Sequence, residues 1–378
     1  MTLISVDTIT TNVAPNKRLL ADIGSDQLDR DDFDHSVDYN GAMPSDSDDF
    51  PVQVIPRARF NEATFSHLIQ ENDMALQWEH VAGPFSRLTE GPAWDGRRLL
   101  FTHIPESRIM AYHPDTGECT VYRENTNHTN GLAFDAEGRL YGCCSGGRAI
   151  VRFDANGTTT TVVDRLNGQR LNTPNDLAVD RQGRIWFSNP WNAGNIDPSE
   201  QPEMAGRDIL RADPQPDGSY TCQQVTFDTT GTNGLLVSPD DQTLYIIQTD
   251  NEPGAVRELR SYPINADGSL AQYIVLHQFG TDHRGPQRGI DGMCLDSEGN
   301  IVGTAGNWAS GPGPMIYVWT PEGRVLETYP MPVGVDMPTN CCFGDADQSS
   351  LYVTTLGGHL LRLRNTGRRG WIMWPPVR

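Results

Sequence analysis

The sequence predicts an all-β chain folded as a six-bladed β-propeller with four-stranded antiparallel blades. Three observations carry this. First, a short phrase recurs six times, and each copy opens on an acid or amide. The copies are Glu90-Gly-Pro-Ala-Trp, Asn130-Gly-Leu-Ala-Phe-Asp, Asn175-Asp-Leu-Ala-Val-Asp, Asn233-Gly-Leu-Leu-Val-Ser, Asp291-Gly-Met-Cys-Leu-Asp and Asn340-Cys-Cys-Phe-Gly-Asp. Second, their leading residues are 40, 45, 58, 58 and 49 residues apart, the period of a propeller blade with longer connections in the middle units. Third, each copy is followed by a polar turn and a second apolar run, such as Arg184-Ile-Trp-Phe-Ser or Thr243-Leu-Tyr-Ile-Ile.

Within a unit, the phrase after the leading residue reads as an apolar strand. The turns that follow, Asp135-Ala-Glu-Gly, Asp180-Arg-Gln-Gly, Pro239-Asp-Asp-Gln and Asp296-Ser-Glu-Gly, are hairpin formers that send the second strand back antiparallel. A hairpin places the leading residue and the end of the second strand at the same end of the blade. His103, Ser145, Asn189, Thr249, Asn307 and Leu356 are therefore expected around one mouth with the six leading residues. The third and fourth strands, for example Ile109-Met-Ala-Tyr-His and Ile150-Val-Arg-Phe-Asp, read as polar and outward-facing. The last unit ends near Arg364, with Gly358-His-Leu-Leu-Arg-Leu-Arg as its third strand. Its outermost strand is expected from Leu76-Gln-Trp-Glu-His-Val, which would close the ring and protect an edge.

The propeller is expected over residues 76–366, preceded by an acidic, loosely ordered arm (1–75) and followed by a C-terminal tail (367–378). Between Leu20 and Phe50 there are ten aspartates, one arginine and no lysine or glutamate, too polar a stretch to offset its ordering entropy by burial. Phe60 to Ile69 reads as a short helix with Phe65, Leu68 and Ile69 on one face. In the tail, Trp371 and Trp374 are expected to pack on the outer wall.

The net charge of −20 argues against nucleic acid and against anionic membrane surfaces as partners. No run of about 18 apolar residues predicts a membrane-spanning helix. The first residues lack a basic start with an apolar core, so the expected location is cytoplasmic. The seven cysteines (119, 143, 144, 222, 294, 341 and 342) form no C-x-x-C pair, and the vicinal ones read as small buried hydrophobes.

Around a propeller axis the leading side chains converge. Glu90, Asn175, Asn233 and Asp291 together offer two carboxylates and two amide carbonyls. Such hard oxygen donors suit Ca²⁺ first, with Mg²⁺ or Mn²⁺ as alternatives, and the lack of leading thiolate or imidazole disfavours a structural zinc site. Four protein oxygens leave room for water and a reactant, as a catalytic centre requires. A central metal-binding tunnel follows as an expectation.

The phrases Glu90-Gly-Pro-Ala-Trp, Thr173-Pro-Asn-Asp-Leu-Ala-Val-Asp, Asn233-Gly-Leu-Leu-Val-Ser-Pro-Asp and Ile290-Asp-Gly-Met-Cys-Leu-Asp resemble the motifs of the SMP-30/gluconolactonase/luciferin-regenerating-enzyme family. The resemblance spans about residues 85–365, in order. It implies a divalent cation in the tunnel and hydrolysis of sugar lactones or related esters. By motif position, Glu90, Asn233 and Asp291 fall on the metal ligands, and Asn175 on an amide beside metal and substrate. Where such proteins often carry an aspartate at the end of the second strand, this chain has His103 and Asn189, the positions at which specificity is expected to be decided. Trp191 and Trp308 are further candidates for the mouth.

The mechanism expected from this site is polarisation of a lactone carbonyl by the cation and attack by water, with Asp291 handling the proton. Glu90 serves as a pure ligand, while Asn175 and Asn233 orient the ester. Asn130 either binds substrate hydroxyls or forms tunnel wall. His103 and His128 are candidates for a second acid–base group. Other ions, Zn²⁺ included, remain alternatives to Ca²⁺. Two other readings stay open: a phosphotriesterase- or arylesterase-like hydrolase of the same layout, and a non-catalytic ligand-binding propeller. No G-x-S-x-G elbow, P-loop or dinucleotide fingerprint competes.

Overall fold

The computed structural model describes residues 75–249 and 254–374. The expectations for the N-terminal arm and for the Phe60–Ile69 helix fall outside this range. The described residues form six sheets of at least four antiparallel strands, each following chain order from one inner strand outward, except at the closure. The inner strands are Thr89–Trp94, Thr129–Phe134, Leu177–Val179, Thr232–Val237, Ile290–Asp296 and Pro338–Gly344. They number the blades one to six. The expected six-bladed propeller is the observed fold.

The ring closes as the sequence predicts. Gln77–Ala82 pairs antiparallel with Leu360–Arg364, from Gln77 opposite Arg364 to His80 opposite Leu361. The N-terminal end of the domain thus becomes the outermost strand of blade six. Arg362 and Arg364 both pair with Glu79 across this seam.

Blades adhere through six apolar clusters, one at each interface between neighbours. Leu100, Ile109, Leu132 and Val151 join blades one and two. Tyr141, Ile150, Leu177 and Leu210 join two and three. Tyr262, Ile209 and Leu244 join three and four, and Tyr245, Leu259, Ile290 and Trp319 join four and five. Val302, Ile316, Val353 and Leu363 join five and six, while Trp94, Phe101 and Tyr352 join six to one. This arrangement corrects the reading of the third strands as outward-facing. Ile109, Ile150, Leu210, Leu259, Ile316 and Leu361 are all buried. Neighbouring blades cover both faces of the first three strands, and only the fourth strands alternate with solvent, as in Glu118–Arg123. Polar residues on the third strands are instead neutralised locally, for example Arg211 by Asp213 and Arg260 by Glu258.

The Asp-x-x-Gly turns between first and second strands are built around their aspartate. In blade three, Asp180 Oδ1 accepts from the Gln182 and Arg184 amides at 2.9 and 3.0 Å. Its Oδ2 accepts from Arg184 Nε at 2.5 Å and Trp186 Nε1 at 2.9 Å. Gly183 closes the turn at φ +75°, a left-handed conformation that favours glycine. Asp135 with Arg139 and Asp296 with Asn300 repeat this arrangement.

The C-terminal tail adopts a placement the sequence did not predict. Gly370–Trp371 adds a fifth strand to blade five, on the inner side of Ile290–Asp296, with Leu295 opposite Trp371. Ile372 then packs with the cluster holding Trp94, and the Trp374 ring covers Gly138 in the turn of blade two. Arg368 ties the tail to Asp296 at 2.7 Å and to Glu327 at 2.8 Å. The tail thus runs along the face of the hairpin turns, opposite the leading residues, so its tryptophans pack on neither the outer wall nor the mouth. Among the described residues no helix is long and apolar enough to cross a membrane.

Candidate active site

In five of the six blades the inner strand is bulged just after its leading residue. Pairing with the second strand shifts register between Glu90 and Ala93, Thr129 and Leu132, Thr232 and Leu235, Ile290 and Met293, and Pro338 and Cys341. A bulge bends a strand and re-aims the side chains it carries. The residue after the leader is glycine in four copies, and these glycines let backbones meet at the centre. A Cβ on Gly91 would enter the Asn130 carbonyl, and one on Gly234 would lie 2.6 Å from the Asp291 carbonyl. In blade three that position is Asp176, whose carboxylate occupies the space a Gly131 side chain would need.

Three carboxylates lie near enough among the inner strands to feel one another: Glu90, Asp176 and Asp291. Glu90 and Asp176 are buried, and the Asp291 side chain is 15% exposed. Burial, then the nearby Asp291 and Asp176, holds the Glu90 carboxyl well above the usual carboxylate range. Burial pushes Asp176 up to about 7, with Asp291 adding to the effect and the Leu177 amide and Asn340 opposing it. Asp291 is also raised by burial, with Arg288 and Asn233 pulling it down. A crowd of buried acids of this kind is relieved by a cation or by protons.

Hydrogen bonds fix the acids. Glu90 Oε2 accepts from the Gly91 amide at 2.8 Å, and Asp176 Oδ1 from the Leu177 amide at 2.9 Å. Asn340 of blade six reaches blade three, its Nδ2 donating to Asp176 Oδ2 at 3.2 Å while its Oδ1 accepts from the Cys341 amide at 2.8 Å. Asn340 also lowers the Glu90 pKa. Arg288 pairs with Asp291 Oδ2 and donates to the Pro338 carbonyl at 2.9 Å and the Gly306 carbonyl at 3.3 Å.

A cavity of about 420 Å³ opens beside Asp291, lined by Asn233, Thr249, Arg257, Arg288, Asn307 and Met337 among others. Of the expected donors, Asn233 and Asp291 line this cavity, and Glu90 is near enough to Asp291 to feel its charge. Asn175 directly precedes Asp176, and its carbonyl accepts from the Gly131 amide at 2.8 Å. Among the described residues no three His, Cys, Asp or Glu side chains converge closely enough to form a metal site by themselves. The candidate shell instead mixes two carboxylates with two amides.

The remaining expected site residues divide. Thr249 and Asn307 line the cavity, as the hairpin argument requires. Asn130 is buried with an unpaired Oδ1. His103 is buried against Phe85 with Nε2 3.0 Å from Ser86 Oγ, and burial lowers its pKa. His128 Nδ1 is 2.9 Å from the Ile104 carbonyl. Asn189 is fully buried, its amide 3.6 Å from the Met204 sulfur. None of His103, His128 and Asn189 lines the cavity. Trp191 lies under the Arg148 guanidinium, 5.2 Å from its ring centroid, and Trp308 is half-exposed beside Asp336. Asp176, Arg257 and Arg288 are the site residues that sequence reasoning did not single out, while Asn340 was expected at the axis as one of the six leading residues. For Asp176 the signal was present, since it is an acid where four other copies have glycine.

Known proteins share this sequence pattern and fold. Residues 88–357 match the family model described as the SMP-30/gluconolactonase/LRE-like region. A gluconolactonase from Zymomonas mobilis is 29% identical over 280 residues, covering 69% of this chain and 74% of that protein. A pentonolactonase from Haloferax volcanii is 28% identical over 283 residues, covering 72% and 82%. The solved structure of a gluconolactonase from Xanthomonas campestris superposes with a TM-score of 0.63 at 32% identity, covering 76% of this chain and 89% of that one. With the motif residues gathered at the axis of a six-bladed ring, the chain belongs to the SMP-30/gluconolactonase/LRE-like family.

Proposed function

We propose that this protein is a lactone-hydrolysing enzyme that depends on a divalent cation and acts on sugar lactones. The lactonase reading is supported by the gluconolactonase and pentonolactonase relatives. The observation that carries the cation is the set of buried acids, Glu90, Asp176 and Asp291, with Arg288 the one guanidinium paired among them. Glu90, Asn175, Asn233 and Asp291 would hold the ion, and their hard oxygen chemistry suits Ca²⁺, with Mg²⁺, Mn²⁺ and Zn²⁺ as alternatives. When bound, such an ion supplies Lewis-acid polarisation of the lactone carbonyl.

The chain's own residues do the rest. Asp291 lines the cavity with one carboxylate oxygen held by Arg288, which leaves its other oxygen to take a proton from attacking water and return it to the ring oxygen. Arg288 and Asn233 both pull the raised Asp291 pKa back down. Asn340 holds Asp176 in place through its side-chain amide. Asn307 and Thr249 present neutral polar groups to substrate hydroxyls.

The test is hydrolysis of glucono-lactone, aryl esters and phosphotriesters with Ca²⁺, Mg²⁺, Mn²⁺ or Zn²⁺ added after chelation. Lactone turnover restored by the ion supports the proposal. Faster turnover of aryl esters or phosphotriesters would move the assignment to that class of hydrolase. No turnover of any substrate, with the ion still raising the melting temperature, would leave a ligand-binding propeller.

The acids also set a pH dependence. Because folding raises the carboxyl pKa values, the ion-free protein binds more protons than its unfolded chain. The contribution of these acids to stability is therefore fullest below the ordinary aspartate range and is lost as pH rises through about 7, the value for Asp176. Chelated protein should melt lower at pH 8 than at pH 5, by on the order of 5 °C. Added cation should recover most of that at pH 8 and little at pH 5, as thermal melts at the two pH values would show.

A further inference from the structure

We propose that the cavity beside Asp291 contains an anion-binding subsite built on Arg257, and that the preferred substrate is a lactone carrying a second, anionic group (carboxylate or phosphate) away from the ester. This rests on the lactonase reading and narrows it.

Arg257 opens the third strand of blade four, paired with Thr249 at the end of the second. Its stem runs beside Gly289, where a Cβ would lie 3.2 Å from Arg257 Cβ. The residue is 8% exposed and lines the cavity together with Asp291. Its side-chain hydrogen bond among the described residues is to the Ala255 carbonyl, at 3.2 Å, and no described carboxylate pairs with it.

Other buried arginines of the propeller are treated differently. Arg148 pairs with Glu200, Arg184 with Asp180, Arg211 with Asp213, Arg260 with Glu258 and Arg362 with Glu79. Burying a guanidinium without a counter-charge is costly, and the fold avoids it elsewhere. At Arg257 the uncommitted donors adjoin the cavity instead. Arg288, the other guanidinium there, is already committed to Asp291 and two carbonyls. The cavity lining holds two guanidiniums, Arg257 and Arg288, and one carboxylate, Asp291, which Arg288 already pairs. A neutral polyol needs only dipoles, which Thr249, Asn233 and Asn307 already provide. The planar fork of an arginine is the group that recognises carboxylate or phosphate through two parallel hydrogen bonds.

The experiment compares kcat/KM for an aldonolactone, an aldaric monolactone and a phosphorylated sugar lactone, with wild type, Arg257→Gln and Arg257→Lys. Wild type should favour one anionic lactone over the neutral one by about 10- to 100-fold, the range expected for a charge-assisted hydrogen-bonded pair. Which of the two is favoured identifies carboxylate or phosphate. Arg257→Gln should collapse that ratio, and Arg257→Lys should retain part of it. A wild type indifferent to the anionic group, or a Gln variant that slows neutral and anionic lactones equally, overturns the proposal.

Calorimetric titration with Ca²⁺ present separates this from the lactonase reading. It compares an aldarate and a sugar-acid phosphate with the simple aldonate. Tighter binding of either doubly anionic ligand, lost in Arg257→Gln, supports the subsite even if no lactone is hydrolysed. Equal binding of all three by wild type overturns it.

Discussion

Asp291→Asn lowers kcat for lactone hydrolysis by about 10²- to 10⁴-fold, the contribution expected of a positioned general base. The replacement keeps the shape of the side chain and an oxygen for Arg288, so the bulged strand Ile290–Asp296 retains its pairing with Ile301–Asn307. It removes the group that can take a proton at the cavity wall. Losing one carboxylate also weakens the hold on a cation, so the assay belongs at saturating ion, with a calorimetric titration of the same ion alongside. A folded, ion-loaded Asn variant hydrolysing lactone at near wild-type rate would remove Asp291 from its role.

Gly292→Ala is the substitution expected to damage the fold most for one added methyl. The new Cβ would fall within the Asn340 amide. Asn340 has no free direction in which to move, because its Oδ1 is held by the Cys341 amide and its Nδ2 by Asp176. Overpacking of this kind costs about 1–3 kcal/mol, and an unsatisfied Asp176 adds about 1–3 more. The variant should be insoluble or melt far below wild type. Gly194→Ala, at a glycine with open space around it, should melt within about 1 °C of wild type. Equal melting temperatures for the two variants would show that the axis is not packed as described.

Much of this site was legible in the six phrases. Their first residues converge at the axis, and their spacing and turn residues place strand ends such as Thr249 and Asn307 at the cavity. The closing strand Gln77–Ala82 was legible because an unpaired edge needs a partner. The third strands misled because alternation within one strand does not reveal that a neighbouring blade covers the other face. His103 and Asn189 are strand ends with buried side chains, His103 against Phe85 and Asn189 beside Met204, and neither lines the cavity beside Asp291. Arg257 and Arg288 were invisible because a charged residue at the start of a strand ordinarily points to solvent. Only the three-dimensional closure puts these two into a shared cavity. The tail was read as an addition outside the repeat, and nothing in its sequence shows that Gly370–Trp371 would pair on the axial side of blade five.

The central claim is that one divalent cation sits among Glu90, Asn175, Asn233 and Asp291 and is required for lactone hydrolysis. Anomalous scattering from a crystal grown with Mn²⁺ and a lactone analogue tests it most directly. The account predicts a single strong peak on the axis, within bonding distance of oxygens from those four side chains, with the analogue's carbonyl beside it. A peak elsewhere, or an empty axis in protein that still hydrolyses lactone in chelator, would contradict it.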